Sequence, residues 1–342
     1  MRNQIYYFDW LRVFATIAVV TIHVTANYVS TIQSGQEFTW VLGNFFETIS
    51  RWSVPGFVMI SGALLLKDEK EIPYWDFLKR RLSKVAIPFV GWSVIFYIYG
   101  VYKWYFPNSI KEGIKLFLNN GIAGHFWFFY MIIGLYLITP LLKVFIKNAE
   151  KRHLQYFLIL WLYASFFTKM SNFLWGMQFS LELFFVTDYI GYFVLGYYLN
   201  QYDISKRWRK ISYIGLFVGF ILTFFLTYFY TINAGGKLNQ FWYEYFSPNV
   251  LLCAVGLFVF FRYNFNDRKL PLLLSGINQA SLGVYIFHYW LLNNYLWKVF
   301  PYVEQFHSII IEIPLKILIT LIFSTIITLV LKRIPLVNKL VP

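Results

Sequence analysis

The chain has 342 residues, of which 58% are hydrophobic and only 13% are charged, whereas a soluble domain carries roughly a quarter charged residues. This composition excludes a water-soluble globular protein, because too little polar surface is present to cover so much apolar surface. The net charge of +14 does not indicate nucleic-acid binding, because Lys and Arg fall in short clusters between apolar runs. A single cysteine, Cys253, excludes an intrachain disulfide. We therefore predict an all-α, polytopic membrane protein.

Apolar segments of about the 20 residues needed to cross a bilayer recur along the whole chain. They predict about ten transmembrane helices in a single domain over residues 1–342, and the first is retained as a span because no cleavage site follows it. The predicted spans are Tyr7–Val29, Trp40–Leu66, Val85–Phe106, Phe126–Ile146, Leu154–Lys169, Phe179–Leu199, Ile211–Thr231, Pro248–Phe261, Ala280–Lys298 and Ile313–Leu331.

The basic residues predict the orientation of these spans. Of the 30 Lys and Arg, most lie in alternate connections, such as Lys67 to Lys84 and Lys206 to Lys210, and the other connections hold few. Because cytoplasmic loops are enriched in Lys and Arg, the pattern predicts that both termini and the Lys67 to Lys84 loop face the cytoplasm.

Ionisable residues inside spans are costly and therefore mark candidate sites. Arg12 and His23 are eleven residues apart, which at about 100° per residue places them on one helix face and about 16 Å apart along the axis. Asp9 precedes Arg12 by three residues and can pair with it. The alternative interpretation is an arginine that extends to the interface and a packed histidine. The imidazole favours a catalytic role, because its pKa suits proton transfer near neutral pH.

The second span carries Glu47 and Arg51, four residues apart and able to pair along their helix. Counted from the outer ends of their spans, His23 and Glu47 both lie about 10 Å deep at 1.5 Å per residue. We therefore predict that Glu47 orients the base His23, with Arg51 keeping the carboxylate ionised. The alternative is a Glu47–Arg51 pair that serves only helix packing.

The segment YFDWLRVFA at residues 7–15, followed by His23, resembles the first-helix signature of acyltransferase family 3, the integral membrane acyltransferases of bacterial surface glycans. The resemblance continues in PGFVMISG at 55–62, in the basic segment from Phe77 to Pro88 that leads to a proline-started third helix, and in HFWF at 125–128 with GLYLITP at 134–140. It ends in GYF and GYY at 191–198 and in SLGVY at 281–285 with His288. We expect a stand-alone form without a fused extracytoplasmic domain.

This resemblance implies a multi-pass protein of the bacterial plasma membrane that transfers an acyl group, usually acetyl, from acyl-coenzyme A in the cytoplasm to a sugar hydroxyl of a surface or lipid-linked glycan. His23 matches the family's catalytic histidine, Arg12 its partner arginine, and Arg81 its loop arginine, with Arg80 adjacent. A guanidinium cluster at Arg12, Arg80 and Arg81 suits the coenzyme A phosphates. Simple membrane anchoring is the alternative role for Arg80 and Arg81.

Three further residues are candidate substrate contacts. Trp127 can stack on a sugar face or belong to a membrane-interface belt, and Ser61 can act as a nucleophile or support helix packing. His288 can contact substrate, and its alternative role is a hydrogen bond between helices. We expect no metal, because no metal-ligand cluster is present in the sequence. The alternative functions are a transporter or flippase for a glycan or lipid-linked substrate, and a non-catalytic component of glycan assembly.

Overall fold

The computed structural model describes residues 5–67, 73–305 and 308–342. These residues form α-helices joined by short connections, together with one isolated bridge between Thr31 and Lys237. The helices are α1 (Tyr7–Val29), α2 (Glu37–Thr48), α3 (Ser53–Leu65), α4 (Tyr74–Tyr102), α5 (Ile110–Leu118), α6 (Trp127–Asn148), α7 (Lys151–Leu162), α8 (Thr168–Trp175), α9 (Tyr189–Gln201), α10 (Lys206–Asn233), α11 (Pro248–Asn264), α12 (Leu272–Asn294), α13 (Phe300–Glu304) and α14 (Ile309–Leu331).

The all-α membrane fold predicted from the sequence is confirmed. Among the described residues, seven helical segments are long and apolar enough to cross a membrane. They are Tyr7–Val29, Tyr74–Tyr102, Gly124–Asn148, Lys151–Trp175, Lys206–Asn233, Phe241–Asn264 and Ile309–Leu331. Three predicted spans remain: one covers α2 together with α3, one overlaps α9 and one overlaps α12. The number of ten crossings and the side of the membrane on which the termini lie therefore stay predictions.

Helix α1 lies at the centre of the bundle. It packs against α2, α3, α11, α12 and α14, and it is the most buried of the seven long apolar helices. Helix α10 is the least buried of them, and it packs mainly on α11. Residues of α1 therefore face protein on several sides, and polar side chains on it can be held away from lipid.

The second predicted span, Trp40–Leu66, is wrong as a continuous helix. Helix α2 ends at Thr48, residues 49–52 form a turn, and α3 begins at Ser53. Pro55 favours this break, because proline has no N–H to donate and is tolerated in the first turn of a helix. The turn is closed by short-range hydrogen bonds from Ser50 N to Glu47 O and from Ser53 N to Ser50 O, at 3.0 and 3.1 Å. Arg51 therefore lies in a turn between two half-helices.

The sixth predicted span, Phe179–Leu199, begins too early. Helix α9 starts only at Tyr189, and the preceding segment is mostly irregular and exposed. Glu182 and Asp188 are therefore outside the helix, and Asp188 lies 3.5 Å from Lys169 in a solvent-exposed ion pair. The irregular backbone is tolerated because it runs over the surface, where its polar groups are not buried.

The predicted Lys67 to Lys84 loop is also corrected. Helix α4 already begins at Tyr74, so the basic residues from Lys79 to Lys84 are helical, and Pro88 lies inside the helix rather than at its start. Residues 68–72 of this segment lie outside the described residues.

Two glycines of the sequence signatures bring α3 and α9 into backbone contact. A Cβ atom on Gly62 would collide with the backbone carbonyl of Phe193, and one on Gly196 would collide with the backbone of Met59. Small residues at such crossings let transmembrane helices approach closely. The α3–α9 pair is thereby held rigidly beside the break that carries Arg51.

Candidate active site

A cavity of about 580 Å³ runs along one face of α1. Arg12 and Lys84 lie at the end where α1 and α4 begin, and His23, Arg51, His125 and Trp127 lie at the far end. Arg12 and His23 therefore share one face of α1 and one cavity, as their spacing predicted. The walls between the two ends are largely apolar and aromatic, with residues such as Phe57, Phe129 and Ile132.

Arg12 is held by a network of polar side chains. Its Nη1 lies 3.1 Å from Asp9 Oδ1 and donates to Asn278 Oδ1 at 3.0 Å, and Asn278 Nδ2 donates to the same Asp9 oxygen at 3.0 Å. The predicted Asp9–Arg12 pair is confirmed, and α12 contributes a third partner through Asn278. The guanidinium is thus fixed at the mouth of the cavity with donor capacity left for an anionic ligand.

Arg80 and Arg81 occupy the first turns of α4, close to this mouth. Arg80 is exposed and Arg81 is half-buried, and neither is among the described residues that line the cavity. Lys84, one turn further along α4, does line it. The structure therefore places Lys84 with Arg12 at the cavity, and it leaves Arg80 and Arg81 at its rim.

Glu47 and Arg51 form an ion pair across the break between α2 and α3. Glu47 is fully buried, and its Oε1 accepts a hydrogen bond from Thr25 Oγ1 at 3.1 Å. Thr25 follows His23 by two residues, so its side chain points about 200° around α1 from His23. Glu47 therefore meets α1 on the side away from His23, and the predicted direct contact between Glu47 and His23 is not formed among the described residues.

Arg51, not Glu47, reaches the space near His23. Its guanidinium lies 4.1 Å from the centroid of the Tyr243 ring and lines the cavity that His23 also lines. Its Nε is buried without a hydrogen-bond partner in the described part of the chain. A buried donor of this kind is available to an oxygen that gains negative charge.

Three histidines from three elements meet at the far end of the cavity. The His23 ring centroid lies 4.8 Å from that of His288 and 6.5 Å from that of His125. His288 is fully buried and is not among the described lining residues of the main cavity, so a direct substrate contact by His288 is not supported. It packs against His23 instead.

The hydrogen bonds of His288 and His125 show which ring nitrogen carries the proton, because a carbonyl oxygen can only accept a hydrogen bond. His288 Nδ1 lies 2.8 Å from Val284 O, and His125 Nε2 lies 3.2 Å from Ile286 O, so each of these nitrogens is the donor. The other nitrogen of each neutral ring is then an acceptor, and both are buried without a partner in the described part of the chain.

Ser61 and Trp127 also line the cavity. Ser61 Oγ donates to the Phe57 carbonyl at 3.0 Å, a local helix bond that suits a packing role. The Trp127 ring lies 6.0 Å from the ring of Tyr245, at an interplanar angle of 28°, and Tyr245 lines the cavity too. The two rings form an aromatic wall at the deep end.

The sequence analysis assigned no site role to Lys84, His125 or Tyr245, all of which line the cavity. The signal for His125 was its place at the start of the HFWF motif that opens α6. Within residues 5–67, 73–305 and 308–342, no three His, Cys, Asp or Glu side chains are arranged to hold a metal ion.

The described helices thus surround a cavity that has cationic side chains at one end and a histidine at the other. A family model described as an acyltransferase domain matches residues 5–333. The chain therefore belongs to acyltransferase family 3, as the sequence motifs indicated. No curated protein and no solved structure gives a significant match to the chain.

Proposed function

We propose that this membrane acyltransferase moves an acyl group, most simply acetyl, from acyl-coenzyme A at the cytoplasmic side to a sugar hydroxyl of a surface or lipid-linked glycan. One observation carries the proposal: a single cavity joins the cations Arg12 and Lys84 to His23 and Arg51. This order suits a donor with anionic phosphates at one end and a reactive thioester at the other.

The donor binds in this proposal with its phosphates at the cavity mouth. Arg12 and Lys84 contact them directly, and Arg80 and Arg81 add positive charge at the rim. The apolar walls receive the uncharged arm that ends in the thioester, and Ser61 and Trp127 contact that part of the substrate. The mouth lies at the end where α1 and α4 begin, which the basic residues assign to the cytoplasm.

His23 acts as the general base. The acceptor hydroxyl oxygen attacks the thioester carbonyl carbon while its proton passes to the His23 imidazole. The carbonyl oxygen becomes an oxyanion, which the buried Arg51 guanidinium stabilises. The C–S bond then breaks, the imidazolium returns its proton to the departing sulfur, and the products are the sugar ester and the free coenzyme A thiol.

Two measurements test the proposal. Purified protein is expected to hydrolyse acetyl-coenzyme A slowly, with water in place of the acceptor, and His23→Ala is expected to lose this activity. Mass spectrometry of surface glycans from cells with and without the gene is expected to show the loss of one acyl group per modified sugar. Unchanged glycans together with an absence of hydrolysis would reject the acyl-coenzyme A reaction.

A further inference from the structure

A second cavity, of about 270 Å³, lies beyond the deep end of the first. It is enclosed by the last turns of α4 and α12 and by the segment between α4 and α6. Its described lining is mainly aromatic and carboxamide, and includes Phe96, Tyr99, Tyr105, Trp290, Asn293 and Asn294. By the positions of these helix ends, it lies on the opposite side of the membrane from Arg12.

His125 belongs to the walls of both cavities. Tyr289, which lines the second cavity, has its ring centroid 5.2 Å from that of His23 and 4.9 Å from that of His125. His23 lines the first cavity. The candidate base therefore lies where the two cavities approach each other, with His125 and Tyr289 between them.

We infer that the second cavity is the acceptor site and that it binds one sugar ring of the glycan. The inference rests on the proposed acyl transfer, and it names the route by which the hydroxyl reaches the base. Donor and acceptor would then come from opposite sides of the membrane and meet at His23.

The lining has the chemistry of a carbohydrate site. A sugar ring has an apolar C–H face that packs on aromatic rings, and hydroxyls that pair with amides and tyrosines. The Phe96 and Trp290 rings are parallel within 8° at 5.8 Å and form one such wall. Tyr99 donates to Asn294 Oδ1 at 3.1 Å, and Trp290 Nε1 is buried without a partner in the described part of the chain. A volume below the roughly 300–1,000 Å³ of drug-sized pockets suits a single ring.

His125 supplies the last contact before the reacting atoms. Its side chain is only 4% exposed, and Tyr285 donates a hydrogen bond to its backbone carbonyl, which fixes its place. Its Nδ1 is the acceptor that lacks a partner. That nitrogen accepts a hydrogen bond from a neighbouring hydroxyl of the bound sugar and so orients the ring, while the attacking hydroxyl gives its own proton directly to His23. Bonds and protons balance as in the proposed transfer.

An ordinary belt of interfacial aromatic residues is the competing explanation for these side chains. Belt residues face lipid and headgroups, whereas Phe96 is only 6% exposed and the lining of this partly open cavity, although it includes the exposed Tyr105, reaches the buried His125. A belt also gives no reason for the unpartnered Trp290 Nε1 inside the bundle.

Glycine substitutions test the assignment. A Cβ on Gly124, which lines the second cavity, meets nothing within 4 Å, so Gly124→Trp adds a bulky side chain at the cavity wall without a clash at Cβ. Gly134 also has open space around it and is exposed on α6, so Gly134→Trp is the matched control. Both variants are measured for glycan acylation in cells by mass spectrometry and, after purification, for acetyl-coenzyme A hydrolysis.

We expect Gly124→Trp to lower glycan acylation at least tenfold more than it changes acetyl-coenzyme A hydrolysis, and Gly134→Trp to alter neither. Normal acylation in Gly124→Trp, or equal losses of both activities, overturns the assignment. If that variant does not fold, Asn293→Leu and Tyr105→Ala decide by the same comparison. Should Trp127→Ala alone lose acylation selectively, the acceptor binds in the first cavity instead. A wild-type protein with neither activity rejects the proposed function rather than this route.

Discussion

The imidazole ring of His288 lies 4.8 Å from that of His23, centroid to centroid, and it is fully buried between α1 and the body of α12. Since His288 Nδ1 donates to Val284 O, its Nε2 is a fixed acceptor beside the candidate base. We therefore propose that His288 is a positioning residue, which restricts the orientation of His23 through this ring contact and places an unpartnered acceptor nitrogen near it.

His288→Phe tests this role, because it keeps a ring of similar size and removes the acceptor nitrogen. We expect the turnover number of acetyl-coenzyme A hydrolysis to fall about tenfold, with the KM for the donor unchanged. His288→Gln, which restores an acceptor oxygen, should recover part of the rate. Wild-type turnover in His288→Phe would assign the residue to packing alone.

Removal of the base itself should have the larger effect. His23→Ala is expected to lower acyl transfer by about 10²- to 10⁴-fold, the usual contribution of general acid–base catalysis. Binding of acetyl-coenzyme A, measured by calorimetry on purified protein, should persist, because Arg12 and Lys84 remain. A His23→Ala protein that still transfers at the normal rate would exclude His23 as the base.

Glu47 should affect stability and the rate of acyl transfer through its ion pair with Arg51. Glu47→Gln leaves the guanidinium without its buried counter-ion, a change that costs roughly 3–5 kcal/mol in buried pairs. We expect a lower melting temperature in detergent and a rate reduced at least about tenfold, with little change in donor affinity.

Thr25→Val is the matched control for Glu47, since it removes the hydroxyl that contacts Glu47 Oε1 and the Thr21 carbonyl and leaves the ion pair in place. One such bond contributes about 1 kcal/mol, so its effect on the melting temperature should be much smaller than that of Glu47→Gln. Equal effects of the two variants would show that the ion pair adds nothing beyond the threonine contact.

The positive charges of Arg12 and Lys84 at the cavity mouth predict that the affinity for acetyl-coenzyme A depends on salt. Arg12→Ala and Lys84→Ala should each weaken acetyl-coenzyme A binding, and added salt should weaken it further in the wild type, because exposed charges are screened. Arg81→Ala should have the same direction of effect through its charge at the rim. Lys79→Ala is the control, as an exposed residue of the same helix that is not among the described cavity lining. Equal affinities in all four variants would contradict phosphate binding at this end.

The orientation of the protein in the membrane can be measured with introduced cysteines. The native Cys253 should react little with the reagent, because it is only 2% exposed. Ser34 is exposed in the connection after α1, and Arg207 is exposed in the first turn of α10, at the opposite end of the bundle. In intact cells, an impermeant thiol reagent should label Ser34→Cys and should not label Arg207→Cys until the membrane is opened. The reverse pattern would place both termini outside the cytoplasm.

Much of the architecture was already determined by the sequence, for a simple physical reason. A bilayer demands long apolar helices, so hydropathy alone located segments that overlap α1, α4, α6, α10, α11 and α14. Helical geometry, which is also local, placed Arg12 and His23 on one face, and one cavity contains both. The family resemblance came from short motifs, and the match over residues 5–333 confirms it.

Only the tertiary structure decided which side chains surround His23. Helix rotations and breaks depend on packing between elements distant in the chain, which no local pattern encodes. The break at residues 49–52 turned Arg51 toward His23 and left Glu47 against Thr25. The approach of α12 and of the turn before α6 brought His288 and His125 to the same place. The sequence determined that a histidine and arginines lie in or beside the apolar segments, and the packing of the bundle determined what they face.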